Sequence, residues 1–310
     1  MTTPSALMLD DAPATQGPPG AGRAPWRLGA MIALPAAALG WSYLDNLGQL
    51  AATWEKDPNY SHGYLVVPIA LLILWRRRPE LASGGFAPNA LGWAAVLAAL
   101  ALRAAAYERA SAWTETFTLI PAVAGLVLAA GGWGLLRAAW PSIAFLIFML
   151  PLPQALNNLM AAPLQTAAAM MSSSLLRSTG LWVLRDGNVI VVGGEPLEVA
   201  EACNGLSMLL SLAATIVTTI FLMRMPAWKQ AVLLLSIVPN ALVSNVLRIA
   251  ATAWCYHLYG AEIGSKYAHD IAGWLMMPTG LLLVLVELRV LSWLILEDDA
   301  EADLVVLRRA

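Results

Sequence analysis

Charged residues are scarce in this chain of 310 residues, where they make up 12% of the composition against 59% hydrophobic residues. Soluble domains carry about 25% charged residues on average, so the composition argues against an ordinary soluble protein. The formal net charge is only −2. A charge that small gives no field for non-specific binding to nucleic acid or to an acidic polymer.

Cysteine is also scarce, since the chain holds only Cys203 and Cys255. Two cysteines allow one disulfide bridge at most, and they match no metal-ligand pattern. The sequence shows no phosphate-binding glycine loop, no internal repeat and no heptad pattern. We therefore predict neither a bound cofactor nor a metal site.

The apolar residues form long runs that short clusters of charge separate. These runs lie at about 26–44, 61–75, 89–106, 117–136, 138–158, 204–223, 230–256 and 270–296. Each reaches roughly the 17–25 residues of a membrane-spanning helix, although the second is a little short. We predict an all-α polytopic membrane protein with about eight transmembrane helices in one domain over 26–296.

The two ends of the chain are predicted to be tails outside this domain. Residues 1–25 are rich in Pro, Gly, Ala and Thr and lack the basic start of a secretory signal, which predicts a disordered segment. Residues 297–310 follow the last apolar run and are mainly polar. An even number of spans places both tails on the same side of the membrane.

The orientation follows from lysine and arginine, which favour cytoplasmic loops. With a cytoplasmic N-terminus, most of the 18 basic residues fall inside the cell. Those that fall outside are Lys56, Arg103, Arg109, Arg177, Arg185 and Lys266. Arg248 lies within a span. We therefore predict that both tails are cytoplasmic.

This orientation leaves a long external segment at about 159–203. Its small-residue stretch, AAAMMSSSLL, predicts a helix at the membrane interface. Turn signals at 186–187 and 193–194 flank the β-branched run Val189–Val192 and predict a short β-hairpin. The segment leads directly into Cys203.

Reactive groups at membrane depth are costly and therefore candidates for function. Cys203 stands at the start of the sixth run, where a helix N-terminus stabilises a thiolate, the nucleophilic form of cysteine. Arg248 lies near the outer end of the seventh run and can offer several donors to an anion. Asn245 and Ser244 precede Arg248 by one helical turn and share its face.

Two histidines and a glutamate complete the set of candidates. His269 opens the eighth run and His62 opens the second, again at the outer side. The pKa of imidazole, near 6.5, suits general acid–base catalysis. Glu201 is placed to orient Arg248 or a histidine.

Each candidate also has a plainer interpretation. Cys203 can be a small buried hydrophobe, and Arg248 can extend to lipid headgroups. The histidines can be interface residues beside aromatic rings, and Glu201 can be a solvated carboxylate. Their common position favours function, because an orientation derived without them places the cysteine, the arginine and both histidines at one membrane face. A nucleophile, a proton-transfer group and a fixed cation suit acyl transfer.

At these residues the chain resembles the exosortase and archaeosortase family of polytopic membrane cysteine transpeptidases, over about 41–296. The resemblance rests on motifs in the family's order: NYSHGYLVVP at 59–68, FMLPLP at 148–153, EACNGL at 201–206, NVLRI at 245–249 and HDIAG at 269–273. It departs at Asn204, where family members commonly carry Ser, and near Ser207 and Met208. These departures leave the subfamily and the recognised motif open.

The resemblance implies roles for these residues. Cys203 is the expected nucleophile, Arg248 the oxyanion stabiliser and His269 the general acid and base. The expected supporting residues are His62, Glu201, Asn245 and Asp270.

The resemblance also implies a substrate class. The expected substrates are exported proteins with a C-terminal sorting signal, made of a short motif such as Pro-Glu-Pro, a transmembrane helix and a basic cluster. Cleavage at the outer face of the bacterial inner membrane would form a thioester on Cys203, which passes to a glycan or lipid acceptor. A non-catalytic scaffold and a transporter for exported polysaccharide stay open as alternatives. A transporter is disfavoured because the midplane stretches are largely Ala, Leu, Val and Ile rather than polar.

Overall fold

The structure is a computed structural model. It describes residues 25–83, 87–198, 205–223 and 225–294. The tail predicted for 1–25 lies outside these residues except for Pro25, and the tail predicted for 297–310 lies wholly outside them. Most of the described chain is helical, with one small sheet.

Within the described residues, every predicted apolar run contains at least one helix. In this part of the chain the helices are α1 (Pro25–Ser42), α2 (Leu44–Lys56), α3 (Gly63–Arg76), α4 (Arg78–Ser83), α5 (Ala90–Glu108), α6 (Ala112–Phe117), α7 (Leu119–Phe145), α8 (Gln154–Ser178), α9 (Gly205–Leu222) and α10 (Ala227–Leu294). Short 3₁₀ turns cover Pro58–Tyr60 and Leu146–Met149. The strands are β1 (Val183–Asp186), β2 (Val189–Val192) and β3 (Glu195–Glu198).

Five helical segments of the described chain are long and apolar enough to cross a membrane. They are Ala90–Glu108, Ala112–Met149, Gln154–Ser178, Gly205–Leu222 and Ala227–Gly260. The apolar helix Gly63–Arg76 is shorter than these. The structure therefore supports an all-α membrane protein, with five segments that qualify by length where the sequence predicts about eight.

The longest of these segments, Ala112–Met149, folds back on itself. Its helix α7 is interrupted at Gly132, whose φ of 74° is a conformation that residues with a side chain rarely adopt. Trp113, near the start of the segment, donates a hydrogen bond to the backbone carbonyl of Pro151, just beyond its end. A straight helix of 38 residues would separate its ends by about 57 Å. The segment therefore forms two antiparallel halves, and its two ends lie at the same end of the bundle.

The bounds of these two halves differ from the predicted runs 117–136 and 138–158. The first half ends at Gly132, because the backbone turns there while the apolar composition continues unbroken. The second half ends at Met149. It stops because Pro151 and Pro153 follow, and proline neither donates a helical hydrogen bond nor lets the preceding residue be helical with ease.

Helix α10 is interrupted in the same way at Gly260, where φ is 80°. Glu287, beyond the break, accepts hydrogen bonds from Ser236 and Asn240, which precede it. The two parts are therefore antiparallel, and we call 227–259 the first arm and 261–294 the second arm. They correspond to the predicted runs 230–256 and 270–296, although the predicted loop between the runs is helical on both sides of Gly260.

The predicted external hairpin is part of a three-stranded antiparallel sheet in the order β1-β2-β3. The run Val189–Val192 is its central strand. The sequence did not predict β3, because its four residues include Pro196 and proline is a weak strand signal.

The sheet packs on α8 and on the first arm of α10. One buried cluster unites the sheet residues Val183, Ile190, Val192 and Leu197 with Ala168, Ala169 and Leu176 of α8 and with Ile249, Ala250 and Ala253 of the first arm. The small-residue stretch that predicts a helix at the membrane interface lies instead in α8, a helix of 25 residues that is long and apolar enough to cross a membrane. Its small side chains let α8 approach the sheet and the first arm.

A polar cluster centred on Arg103 joins α1 and α2 to α5 and α6. Arg103 donates hydrogen bonds to Ser42 Oγ at 3.1 Å and to Asn46 Oδ1 at 2.9 Å. Its guanidinium carbon lies 4.1 Å from the centre of the Tyr43 ring. It also forms an ion pair of 3.4 Å with Glu115, and the two side chains are 19% and 17% exposed. This arginine, counted among the outer charges in the sequence, is bound within the protein.

Candidate functional site

The start of α9 lies close against α8 and the first arm of α10. A Cβ atom placed on Gly205 would stand 3.2 Å from Asn245 Nδ2 and 3.7 Å from Leu164 Cβ. The first of these distances is tighter than most Cβ contacts, so a side chain at this position would push Asn245 away. Glycine therefore allows the close approach of α9 to the first arm, two residues after Cys203 in the sequence.

Asn245 shares a helical face with Ser244 and Arg248. Asn245 and Ser244 are 1% and 2% exposed, and Arg248, one turn later, is half-buried. The next two residues, Ile249 and Ala250, belong to the cluster that covers the sheet. Arg248 thus lies where the first arm passes from the helical bundle to the sheet, on the face that contacts the start of α9.

Four of the predicted site residues cannot be placed in the same detail. Cys203 and Glu201 lie outside the described residues. His269 and Asp270 belong to the second arm of α10, but side chains in 261–277 are outside the described part of the chain. Their roles stay predictions. Within the described residues, no group of three or more His, Cys, Asp or Glu is placed to hold a metal ion.

His62 immediately precedes α3 and is 6% exposed. Backbone carbonyls of Phe148 and Asn59 lie against its ring. Burial lowers the pKa of His62 below its usual value of 6.5, and the two carbonyls offset this effect only in part. Its Nδ1 atom has no hydrogen-bond partner among the described residues. Burial thus favours the neutral form of this imidazole, which lies beside the 3₁₀ turn that follows α7.

Aromatic side chains from three elements bind the backbone of 149–152, where the 3₁₀ turn ends and non-helical backbone follows. Trp54 Nε1 donates to the Met149 carbonyl at 2.9 Å, Trp113 Nε1 donates to the Pro151 carbonyl at 2.7 Å, and the Tyr60 hydroxyl accepts from the Leu152 N–H at 3.2 Å. We call Trp54, Tyr60 and Trp113 the aromatic clamp. Irregular backbone in a membrane protein requires such partners, because lipid supplies none.

The motif NYSHGY at 59–64 builds much of this clamp. Tyr60 provides its hydroxyl and His62 packs against Phe148. A Cβ atom on Gly63 would overlap the indole ring of Trp54, so glycine leaves the space that the indole occupies. The 3₁₀ turn Pro58–Tyr60 also packs beside α9, which brings the clamp next to the helix that follows Cys203.

Sequence reasoning missed Trp54 and Trp113 and assigned no role to Tyr60, although Tyr60 lies in the motif NYSHGYLVVP. A signal for them exists in FMLPLP at 148–153, where two prolines end a helix and leave backbone groups that need partners. Nothing in the local sequence says which donors supply them, because Trp54 and Met149 are 95 residues apart.

Comparison with known proteins gives one family match. The family described as transmembrane exosortase matches residues 54–286. No curated protein and no solved structure matches the chain. The matched range begins at Trp54 of the aromatic clamp and includes Arg248 and His269.

Proposed function

We propose that this chain, which belongs to the transmembrane exosortase family, is a cysteine transpeptidase acting on exported proteins. The substrates would carry a C-terminal sorting signal, and the acceptor would be a glycan or lipid at the outer face of the inner membrane. The observation that supports this proposal is the placement of Asn245 beside Gly205, at the start of the helix that follows Cys203, with Arg248 one helical turn further along the first arm.

In the proposed reaction the thiolate sulfur of Cys203 attacks the scissile carbonyl carbon. The guanidinium of Arg248 donates hydrogen bonds to the oxyanion of the tetrahedral intermediate, where a fixed positive charge stabilises the developing negative charge. The carbon–nitrogen bond then breaks, and His269 gives a proton to the leaving amine. A thioester of Cys203 remains, and the C-terminal sorting signal departs with its new amino terminus.

The second half of the reaction reverses these roles. His269 takes a proton from the acceptor nucleophile, which attacks the thioester carbonyl. The carbon–sulfur bond breaks and the Cys203 thiolate is restored. Asn245 has a positioning role in this proposal, because its amide contacts the start of α9 and its helical turn carries Arg248. Glu201 and Asp270 are proposed to orient Arg248 and His269, and His62 to hold the clamp beside α9.

The test is acyl-enzyme formation in membranes that contain the full chain and a reporter with a C-terminal sorting signal. The unchanged protein should yield a covalent adduct with the reporter that hydroxylamine releases, as expected for a thioester. Cys203→Ala should abolish the adduct and let uncleaved reporter accumulate, whereas Cys255→Ala should change neither. Continued processing by Cys203→Ala would exclude this nucleophile, and a reporter left intact by every variant would favour a scaffold.

A further inference from the structure

A polar cluster lies between the two arms of α10, away from Arg248. Glu287 Oε2 accepts a hydrogen bond from Ser236 Oγ at 2.7 Å and one from Asn240 Nδ2 at 2.7 Å. The Asn240 amide also lies 3.3 Å from Ser236 Oγ. All three side chains are partly buried. We call these three residues the inter-arm link.

The surroundings of the inter-arm link are apolar. The cluster next to it contains Leu233, Ala241 and Val284, with Ile237, Leu288 and Leu291 packed against them. At about 1.5 Å per residue, Ser236 and Asn240 stand about 14 and 20 Å along the first arm from Ala227. In a hydrocarbon core about 30 Å thick, this depth is near the middle. A carboxyl group at such a depth is costly and indicates a specific role.

Apolar helices in lipid are poorly fixed along their axes. Lipid tails solvate leucine about as well as another leucine does, so sliding one arm along the other changes the energy little. A polar side chain in an apolar interface removes this freedom, because only one alignment satisfies its hydrogen bonds. A slip of one turn, about 5.4 Å, would separate Glu287 from Ser236 or from Asn240, depending on its direction.

The alignment of the arms bears on the proposed reaction. Arg248 lies two turns beyond Asn240 on the first arm, and His269 is carried by the second arm. Their relative height is therefore set by how the two arms align. A displacement of about 1 Å between reacting groups can lower a rate about 100-fold. A slip of one turn would therefore place Arg248 and His269 too far apart to act on the same carbonyl group.

We propose that Glu287 is a positioning residue whose link to Ser236 and Asn240 sets the register of the second arm on the first. The link thereby sets the height of His269 relative to Arg248. This inference rests on the proposed function, in which both residues act on one carbonyl group. It adds a register-determining site that lies far from the reacting atoms.

The register is measured by disulfide cross-linking in the full chain, with Cys203 and Cys255 replaced by serine. Extending the antiparallel pairing of Glu287 with Ser236 and Asn240 places Leu291 opposite Leu233. The pair Leu233→Cys and Leu291→Cys therefore reports this alignment, and the pair Leu233→Cys and Leu288→Cys reports a slip of about one turn. With the inter-arm link intact, the first pair should cross-link about tenfold faster than the second. In the apolar variant Ser236→Ala, Asn240→Leu, Glu287→Leu, the two pairs should cross-link at similar rates. An unchanged preference in that variant would overturn the inference.

Reporter processing separates positioning from simple hydrogen-bond satisfaction. Glu287→Gln keeps an oxygen that accepts from Ser236 and Asn240, so processing should stay within about twofold, whereas Glu287→Leu should lower it at least about tenfold. The apolar triple variant has no unsatisfied polar group, yet it should process as slowly as Glu287→Leu. Recovery of processing in the triple variant would show that Glu287 only satisfies its partners, and would overturn the positioning role.

The matched control is Val286→Leu, at an exposed position next to Glu287, which should change neither measurement. A failure of the proposed function remains distinguishable, because the cross-linking variants lack Cys203 and their register does not depend on activity. Normal register together with absent acyl-enzyme in the unchanged chain would contradict the proposed function alone.

Discussion

The indole Nε1 of Trp113 donates a hydrogen bond of 2.7 Å to the carbonyl of Pro151, across 38 residues of sequence. Trp54 binds the carbonyl of Met149 in the same way, at 2.9 Å. These bonds supply partners to a backbone that two prolines exclude from helix. The clamp therefore stabilises the fold through its donors as well as through the apolar area of its rings.

Replacing Trp113 by phenylalanine should destabilise the protein. A phenyl ring can still stack on Phe117, as the indole does at 5.1 Å, but it cannot donate to Pro151. An unsatisfied buried carbonyl costs about 1–3 kcal/mol. The unfolding temperature of the purified protein in detergent should fall for Trp113→Phe and stay nearly unchanged for Trp182→Phe, a residue that is 86% exposed. Equal falls for the two variants would contradict this account.

Two glycine-to-alanine substitutions should have opposite effects on stability. Gly63→Ala places a methyl group where the Trp54 indole lies, which should break the bond from Trp54 to Met149 and cost about 1–3 kcal/mol. Gly48→Ala lies in α2 with nothing within 4 Å, and alanine should stabilise that helix by up to about 1 kcal/mol. Thermal unfolding of both variants measures the difference, and a rise in stability for Gly63→Ala would show that the indole is not held at that place.

The burial of His62 predicts a dependence of stability on pH. Its pKa is lowered in the folded protein, so below about pH 6.5 the unfolded chain takes up a proton that the folded chain does not. Stability should therefore be complete above that pH and decline as the pH falls toward the lowered pKa. The unfolding temperature should drop more between pH 7.5 and 5.5 in the unchanged protein than in His62→Gln. The same drop in both proteins would assign the effect to other groups.

Reporter processing should depend on both the positive charge and the planar guanidinium group of Arg248. Arg248→Gln removes the proposed oxyanion donor and should lower reporter processing about 100–1,000-fold. Arg248→Lys keeps the charge without the planar set of donors, so its processing should be intermediate. The control is Arg185→Gln, because Arg185 binds only Gly187 of its own turn among the described residues. A comparable loss in that control would indicate a general effect of basic charge rather than a role for Arg248.

The helices were predictable because each apolar run is long enough to be helical by itself. Their breaks were not, since Gly132 and Gly260 stand in sequence where other glycines continue a helix, as Gly125 does. A backbone turn at glycine depends on the elements that close around it. Pro151 and Pro153 do mark a helix end, but the apolar residues on both sides of them make 138–158 look like one continuous apolar run.

The candidate site was predictable where its residues share one helix. Asn245 and Arg248 lie one turn apart, so their common face follows from helical periodicity. The clamp and the inter-arm link join residues that are distant in sequence, and neither a lone Trp54 nor a lone Glu287 indicates its partner. Glu287 was overlooked because one acid in a long apolar run changes its mean hydropathy little.

The inter-arm link has a consequence for biosynthesis. Asn240 and Glu287 are separated by 47 residues, which a ribosome adds in several seconds at about 5–20 residues per second. During that interval the first arm has been synthesised, whereas the carboxyl group that binds Ser236 and Asn240 has not. The alignment of the arms therefore follows the synthesis of the second arm, so a nascent chain would remain inactive until Glu287 has been added.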